Sequence, residues 1–334
     1  MITDQVRSPV IKKPASNKSY PVYHDIPHAA LVRLTRSFTK AELYSVDNYF
    51  REGLWTFSDD LDDVLGVTLG ILKPEAAPGR RYHTALQALI ENGFLPVDAM
   101  RFRHDRLTIR ETWRYQMNVA SRERIATMDI MLPAADSILM VLKDLRWRPG
   151  QTPASVRLTS LKGPSDPAQR DAHHLRRRLG AVNRQLNFLH TSDEPIDVIR
   201  ELSVLCPAER RELVKARIRS GHDASAELRE TFAEIEQSVP AHDLDLEKSW
   251  ERLAESKAPA GFLARERSQG RDIKAEEVIT AARHPSADHR DLWDLISIMT
   301  HTVECNTPGV GRIFPNIELS AWESGPADGN PALT

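Results

Sequence analysis

Four short apolar runs alternate with helix-length amphipathic stretches between Val67 and His190, and this alternation limits the fold more than any other feature of the chain. Val67–Leu72 (VTLGIL) contains β-branched residues and is closed by Lys73-Pro74, the pattern of a buried strand. Leu86, Leu89 and Ile90 mark one face of a helix that stops at Asn92-Gly93. Leu95–Phe102 reads as a second strand, Arg106–Met117 as a helix, and Ser137–Lys143 as a third strand short enough to be central. A helix near Ala154–Leu161, a turn at Gly163–Pro167 and a fourth strand at Leu186–His190 follow. Thr191–Pro195 carries the cap, acid and proline signals of a helix start, and Ile196, Ile199 and Leu202 continue it. Strands separated by helical crossovers predict an α+β sandwich built on a four-stranded sheet.

The flanking segments differ. Residues 1–20 mix Pro, Lys, Ser and Asn and read as a loose arm, and Ala29–Phe57 reads as helix before the acidic break at Ser58–Asp63. Pro207–Met299 is charged and mostly helical. The Pro- and Gly-rich tail after Asn306 reads as loop, with one short strand near Ile313–Leu319. The expected division is therefore 1–66, 67–206 and 207–334. With 41 % apolar and 28 % charged residues among 334, the chain has the balance of a globular protein. Its net charge of -2 gives no bulk attraction to nucleic acid or an anionic membrane, so any phosphate site must be a local basic cluster. Cys206 and Cys305 stand outside any CxxC pattern, the first residues lack a signal-like apolar run, and nothing approaches the roughly 18 apolar residues of a membrane span. The expected location is cytoplasmic.

The strongest chemical constellation is Asn187-Phe-Leu-His190-Thr-Ser192-Asp193, with Glu201 eleven residues beyond the histidine. His190 ends a strand, while Ser192 and Asp193 lie at a helix start whose free N–H groups favour negative charge. A helix begun there puts Glu201 two turns in, from where its carboxylate can reach back to one imidazole nitrogen and leave the other as a nucleophile. The same residues also suit a partly buried histidine satisfied by a cap. Lys73, closing the first strand, and the cluster His173-His174-Leu-Arg176-Arg177-Arg178 offer positive charge for an anion, or simply solvated surface.

Taken in order, these pieces resemble nucleoside diphosphate kinases. In that family a strand ends in Lys-Pro-Asp or Lys-Pro-Glu, as in Thr68–Glu75 (TLGILKPE). Its Leu-Gly-x-Thr-Asn-Pro turn resembles Leu161–Pro167 (LKGPSDP), its Asn-x-x-His-Gly-Ser-Asp motif resembles Asn187–Asp193, and its glutamate falls on Glu201. The resemblance implies a ferredoxin-like, four-stranded antiparallel sheet with helices, Mg²⁺ and nucleotides as working partners with ATP as donor, and allows a homo-oligomer. It implies His190 as the phosphate-accepting nucleophile, Glu201 and Ser192 as its orienting groups, Lys73 on the transferring phosphate and Asn187 on the sugar hydroxyl. Ser165 stands where the family uses threonine, and Arg157 with either Arg176 or Arg177 falls near its two phosphate-binding arginines. Tyr115, with Trp113 in competition, falls near the tyrosine beside the histidine.

The departures are as informative. The family's aromatic base clamp should fall between Tyr115 and Met131, where this chain reads QMNVASRERIATMDI without an aromatic residue. Thr191 replaces the glycine after the histidine, and the additions on both sides are large. The leading expectation is a phosphotransferase acting on a nucleoside diphosphate or a related small acceptor. The alternative is a nucleotide-binding or scaffolding protein that keeps the domain without turnover. His284, His289, Asp291, Asp294, His301 and Cys305 lack zinc-like spacing, and Gly309-Val310-Gly311 is followed by no helix that would make it a phosphate loop.

Overall fold

The computed structural model describes residues 26–284, 289–314 and 319–323. The arm at residues 1–20 lies outside them, as do the side chain of His289 and most of the strand expected near 313–319. Ile313, Phe314 and Leu319, which are described, are bends and turn rather than strand.

Four strands form one antiparallel sheet: β1 (Val67–Leu72), β2 (Phe94–Phe102), β3 (Ser137–Asp144) and β4 (Leu189–Thr191), in the order β2-β3-β1-β4. The expected α+β class and four-stranded sheet are present. β1 is central and buried along its whole length because both faces of the sheet are covered. On one face Val67, Leu69 and Ile71 join Val97, Leu139 and Val141 under Ile196, Ile199 and Leu202 of the Pro195–Leu205 helix and under the N-terminal helices. On the other, Leu72, Ile138, Met140 and Leu142 meet the Tyr82–Glu91 and Ala154–Lys162 helices. This is the two-residue alternation of a strand read from both sides. β2 is an edge strand with a bulge between Pro96 and Asp98, where a proline costs no ladder bond, and the Pro96 carbonyl accepts from the Ala224 amide.

Several elements differ from expectation. Ala29–Phe57 is not one helix but three, His28–Leu34, Phe38–Ser45 and Asn48–Phe57, because Ser37 and Asp47 each cap a new start by accepting from the amides of Lys40 and Phe50. The helix from Arg106 ends at Thr112, and a further helix, Arg122–Met131, begins at the cap residue Ser121. Its charged sequence carries little amphipathic signal. β4 starts later than expected because Asn183 accepts from the Gln185 and Leu186 amides, and Phe188 turns to a left-handed φ of 64°. That turn aims the Phe188 amide at the Glu75 carboxylate, 3.0 Å away.

The flanking helices share these cores. Asn48–Phe57 crosses the Pro195–Leu205 helix at Gly53, where a Cβ would stand 2.1 Å from Ser203 Oγ and 2.8 Å from the Ile199 carbonyl. Phe232, in Ser225–Ser238, stacks on Tyr82 with ring centroids 4.9 Å apart. Among the described residues, no helix is long and apolar enough to cross a membrane.

Candidate functional site

The antiparallel register sets His190 beside Ile71, so the imidazole emerges at the end of the sheet where β1 passes into Lys73. Ser192 lies just past β4, and the Pro195–Leu205 helix folds back over the sheet and returns Glu201 to the histidine. Glu201 Oε2 stands 3.0 Å from His190 Nε2 and accepts a second bond, of 2.8 Å, from Ser192 Oγ. The carboxylate and serine are buried and the imidazole is 16 % exposed. A carboxylate on Nε2 selects the tautomer with its proton there and leaves the Nδ1 lone pair unprotonated, which is the arrangement a nitrogen nucleophile needs. Trp113 packs edge-on against the ring with centroids 5.4 Å apart, and His104 packs behind Trp113 at 5.3 Å.

Lys73 is buried at the same end. Its Nζ lies 2.8 Å from Glu75 Oε1 and donates to the Gln185 carbonyl. Burial lowers its pKa, Glu75 opposes that, and the charges of Arg176 and Arg124 add to the lowering. Arg176 is also buried. It donates to the carbonyls of Gly163 (2.9 Å) and Leu189 (3.0 Å), has no carboxylate in ion-pair reach among the described residues, and is pulled down to about 10 by burial and Arg170. Asn187 donates to the Arg184 carbonyl. Glu75 Oε2, Arg176 Nε, Asn187 Oδ1 and both side-chain polar atoms of Gln185 are buried without a hydrogen-bond partner. Such groups are costly to leave unpaired, and all four residues lie at this end of the sheet.

Of the residues singled out from sequence, His190, Ser192, Glu201, Lys73, Asn187 and Arg176 converge here. Ser165 is exposed on the loop that follows the Ala154–Lys162 helix, and Arg177 is exposed on the short helix Leu175–Arg178. Two are elsewhere. Arg157 pairs with Asp144, donates to the Asn92 carbonyl and lies over the Phe94 ring, five residues along β3 from the level of His190, or roughly 17 Å at the usual strand rise. Tyr115 turns its hydroxyl to Asp47 (3.0 Å) and its ring to Tyr44 and Phe314, so Trp113 takes the position beside the histidine. His104 was not anticipated from sequence. It is 2 % exposed with neither ring nitrogen hydrogen-bonded, and burial, with the charges of His190 and Lys73, lowers its pKa to about 3. A lone histidine two residues beyond a strand gives no pattern by which to find it.

For a metal, Asp171, His173 and His174 bring ligand atoms within 4.8 Å of one another, but His174 Nδ1 already accepts from the Asp171 amide at 2.8 Å. Asp294 is committed to His242 and Arg252, and Asp291 accepts from Ser256.

No family model matches this chain, and no curated protein does. Among solved structures it is similar to the nucleoside diphosphate kinase of Aquifex aeolicus at 20 % identity, covering 43 % of this chain and 96 % of that one with a TM-score of 0.36. The corresponding enzyme of Encephalitozoon cuniculi matches at 16 % identity, 42 % and 87 % coverage and a TM-score of 0.35. The NDP kinase of Pyrobaculum aerophilum matches at 18 % identity, 43 % and 97 % coverage and a TM-score of 0.34.

Proposed function

We propose that this protein is a phosphotransferase that carries a phosphoryl group on His190, with ATP as donor and a nucleoside diphosphate or related small molecule as acceptor. The observation that carries the reading is the Glu201–His190–Ser192 arrangement, in which one buried carboxylate oxygen binds both Nε2 and the serine hydroxyl. In the first half-reaction the Nδ1 lone pair attacks the γ-phosphorus, a P–N bond forms, the bond to the β,γ-bridging oxygen breaks, and ADP leaves. In the second, an acceptor phosphate oxygen attacks the same phosphorus and the P–N electron pair returns to the ring. The imidazole gains positive charge while phosphorylated, and Glu201 balances that charge without taking the Nε2 proton. Ser192 keeps the carboxylate aimed at the ring.

Phosphoryl transfer needs positioning and charge neutralisation more than covalent help. Lys73 and Arg176 supply charge at the sheet end, with Ser165 on the adjoining loop and Arg177 on the short helix Leu175–Arg178, and Asn187 Oδ1 offers an unfilled acceptor for a sugar hydroxyl. Of the unpartnered buried polar atoms, the donors Arg176 Nε and Gln185 Nε2 suit a phosphate oxygen, and the acceptor Asn187 Oδ1 suits a sugar hydroxyl. Mg²⁺, when bound with the nucleotide, would neutralise phosphate oxygens and needs few protein ligands of its own. The catalytic unit in this reading is residues 67–206, with 1–66 and 207–334 as additions.

A nucleotide-binding protein without turnover is the second reading, favoured by the lack of an aromatic residue from Gln116 to Ile130. Incubation with γ-labelled ATP and Mg²⁺ separates the two. An acid-labile, alkali-stable label that His190→Ala abolishes is expected. Equal labelling of the variant would move the chemistry to another residue, and no labelling of the native chain would favour the second reading.

A further inference from the structure

After the last long helix the chain returns across the molecule and fastens to the Met117–Arg124 segment. Thr307 donates its amide to the Val119 carbonyl (2.7 Å), the Ser121 amide donates to the Cys305 carbonyl (3.3 Å), and Asn118 Nδ2 donates to the Gly311 carbonyl (2.7 Å). Between the two segments lies a cavity of about 90 Å³, lined among others by Tyr115, Gln116, Arg124, Asn306, Arg312 and Phe314. A single water occupies about 10–15 Å³ of such space, so the cavity has room for a group of several atoms. Its charged walls are two arginines. Arg124 donates to Asn306 Oδ1 (3.0 Å) and has no carboxylate in ion-pair reach among the described residues. Burial lowers its pKa, with Cys305 opposing and Arg312 adding to the effect.

The half-buried guanidinium of Arg124, with no carboxylate in ion-pair reach among the described residues and with Arg312 adding positive charge beside it, is an unfavourable arrangement unless an anion completes it. Guanidinium presents a planar fork that matches an oxyanion, the Asn306 amide nitrogen remains as a further donor, and the rings of Tyr115 and Phe314 supply apolar wall beside them. The position relates the cavity to the histidine. Tyr115 is two residues beyond Trp113, which packs on His190, and Arg124 is close enough to Lys73 to lower its pKa.

We propose that this cavity is an oxyanion subsite that holds a carboxylate or phosphate group of the acceptor, taking the part that an aromatic clamp on a base would otherwise play. Its assignment to the acceptor rests on the phosphotransferase reading; the anion site itself does not. The test uses the full chain and low-millimolar selenate, with binding followed by calorimetry and the ion located in crystals by its anomalous signal. Selenate against Arg124 is expected. Arg124→Met should weaken binding there on the order of tenfold, as for a lost charge-assisted hydrogen bond, and remove the signal. Arg124→Lys, which keeps the charge, should retain part of it and serves if the methionine variant does not fold. Displacement by acetate would identify a carboxylate-bearing acceptor, and displacement by inorganic phosphate alone a phosphorylated one. Selenate found only beside Lys73 and His190, or bound equally after Arg124→Met, would overturn the subsite even if His190 is labelled by ATP. Selenate at Arg124 in a chain that ATP does not label would instead overturn its assignment to an acceptor.

Discussion

Replacing Glu201 by Gln isolates the contribution of one negative charge. The side chain keeps its shape, so Ser192 and His190 still meet an oxygen or an amide in the same place. In the ground state the neutral imidazole donates Nε2–H to the carboxylate. As the P–N bond forms the ring turns cationic, and the bond strengthens because both partners are then charged. A neutral acceptor retains about 0.5–1.5 kcal/mol where a charged one contributes about 1.5–3 kcal/mol. The difference, roughly 1–2 kcal/mol, is realised mainly in the transition state and corresponds to a rate about 5- to 30-fold lower. Single-turnover labelling of the full chain with saturating γ-labelled ATP measures it, with thermal unfolding as a control for the fold. Ser192→Ala should cost less, since it removes a group that acts through the carboxylate. A Glu201→Gln rate within twofold of native, with the fold intact, would refute the orienting role and with it the reason for placing the lone pair on Nδ1. Collapse of the fold would mean that the carboxylate serves the core rather than the histidine.

Gly53→Val should destabilise the protein by about 1–3 kcal/mol or more, because the new Cβ meets Ser203 Oγ and the Ile199 carbonyl, and a backbone atom cannot swing aside; chemical denaturation measures this, and native stability would show that the two helices can separate freely. His104 ties stability to pH. Its folded pKa of about 3 lies below the ordinary value of 6.5, so between those pH values the unfolded chain binds a proton that the folded ring refuses, and stability falls as pH falls. The loss at pH 5 should be about 2 kcal/mol, absent above pH 6.5 and abolished by His104→Phe, and an unchanged pH slope in that variant would contradict it. Common nucleoside diphosphates should be poor acceptors despite competent phosphorylation of His190, because stacking on an aromatic clamp is the part of base binding that ignores base identity. Fast turnover of all of them by the full chain would refute this.

The order of the strands from β1 to β4 was legible because it depends on local patterns: β-branched runs for strands, proline and glycine at their ends, and an acid-proline start for the helix after β4. His190, Ser192 and Glu201 were legible for the same reason, since one strand, one turn and two helical turns determine their mutual distance almost without help from the rest of the chain. Positions that depend on how distant segments pack were not. Arg157 sits on a correctly anticipated helix, yet the partner that captures it, Asp144, is at the far end of the sheet. The choice between Trp113 and Tyr115 was decided by Asp47, an N-terminal cap residue that draws the tyrosine hydroxyl away and leaves the tryptophan on the histidine. The single helix expected over Ala29–Phe57 failed because Ser37 and Asp47 act as caps, a preference weak enough in sequence to be hidden by the apolar spacing around it. His104 and the Arg124 cavity carry no spacing signal at all. A desolvated imidazole and a guanidinium with no carboxylate in reach among the described residues acquire those properties only when tertiary packing removes water from them, and that packing joins residues as far apart as Arg124 and Asn306.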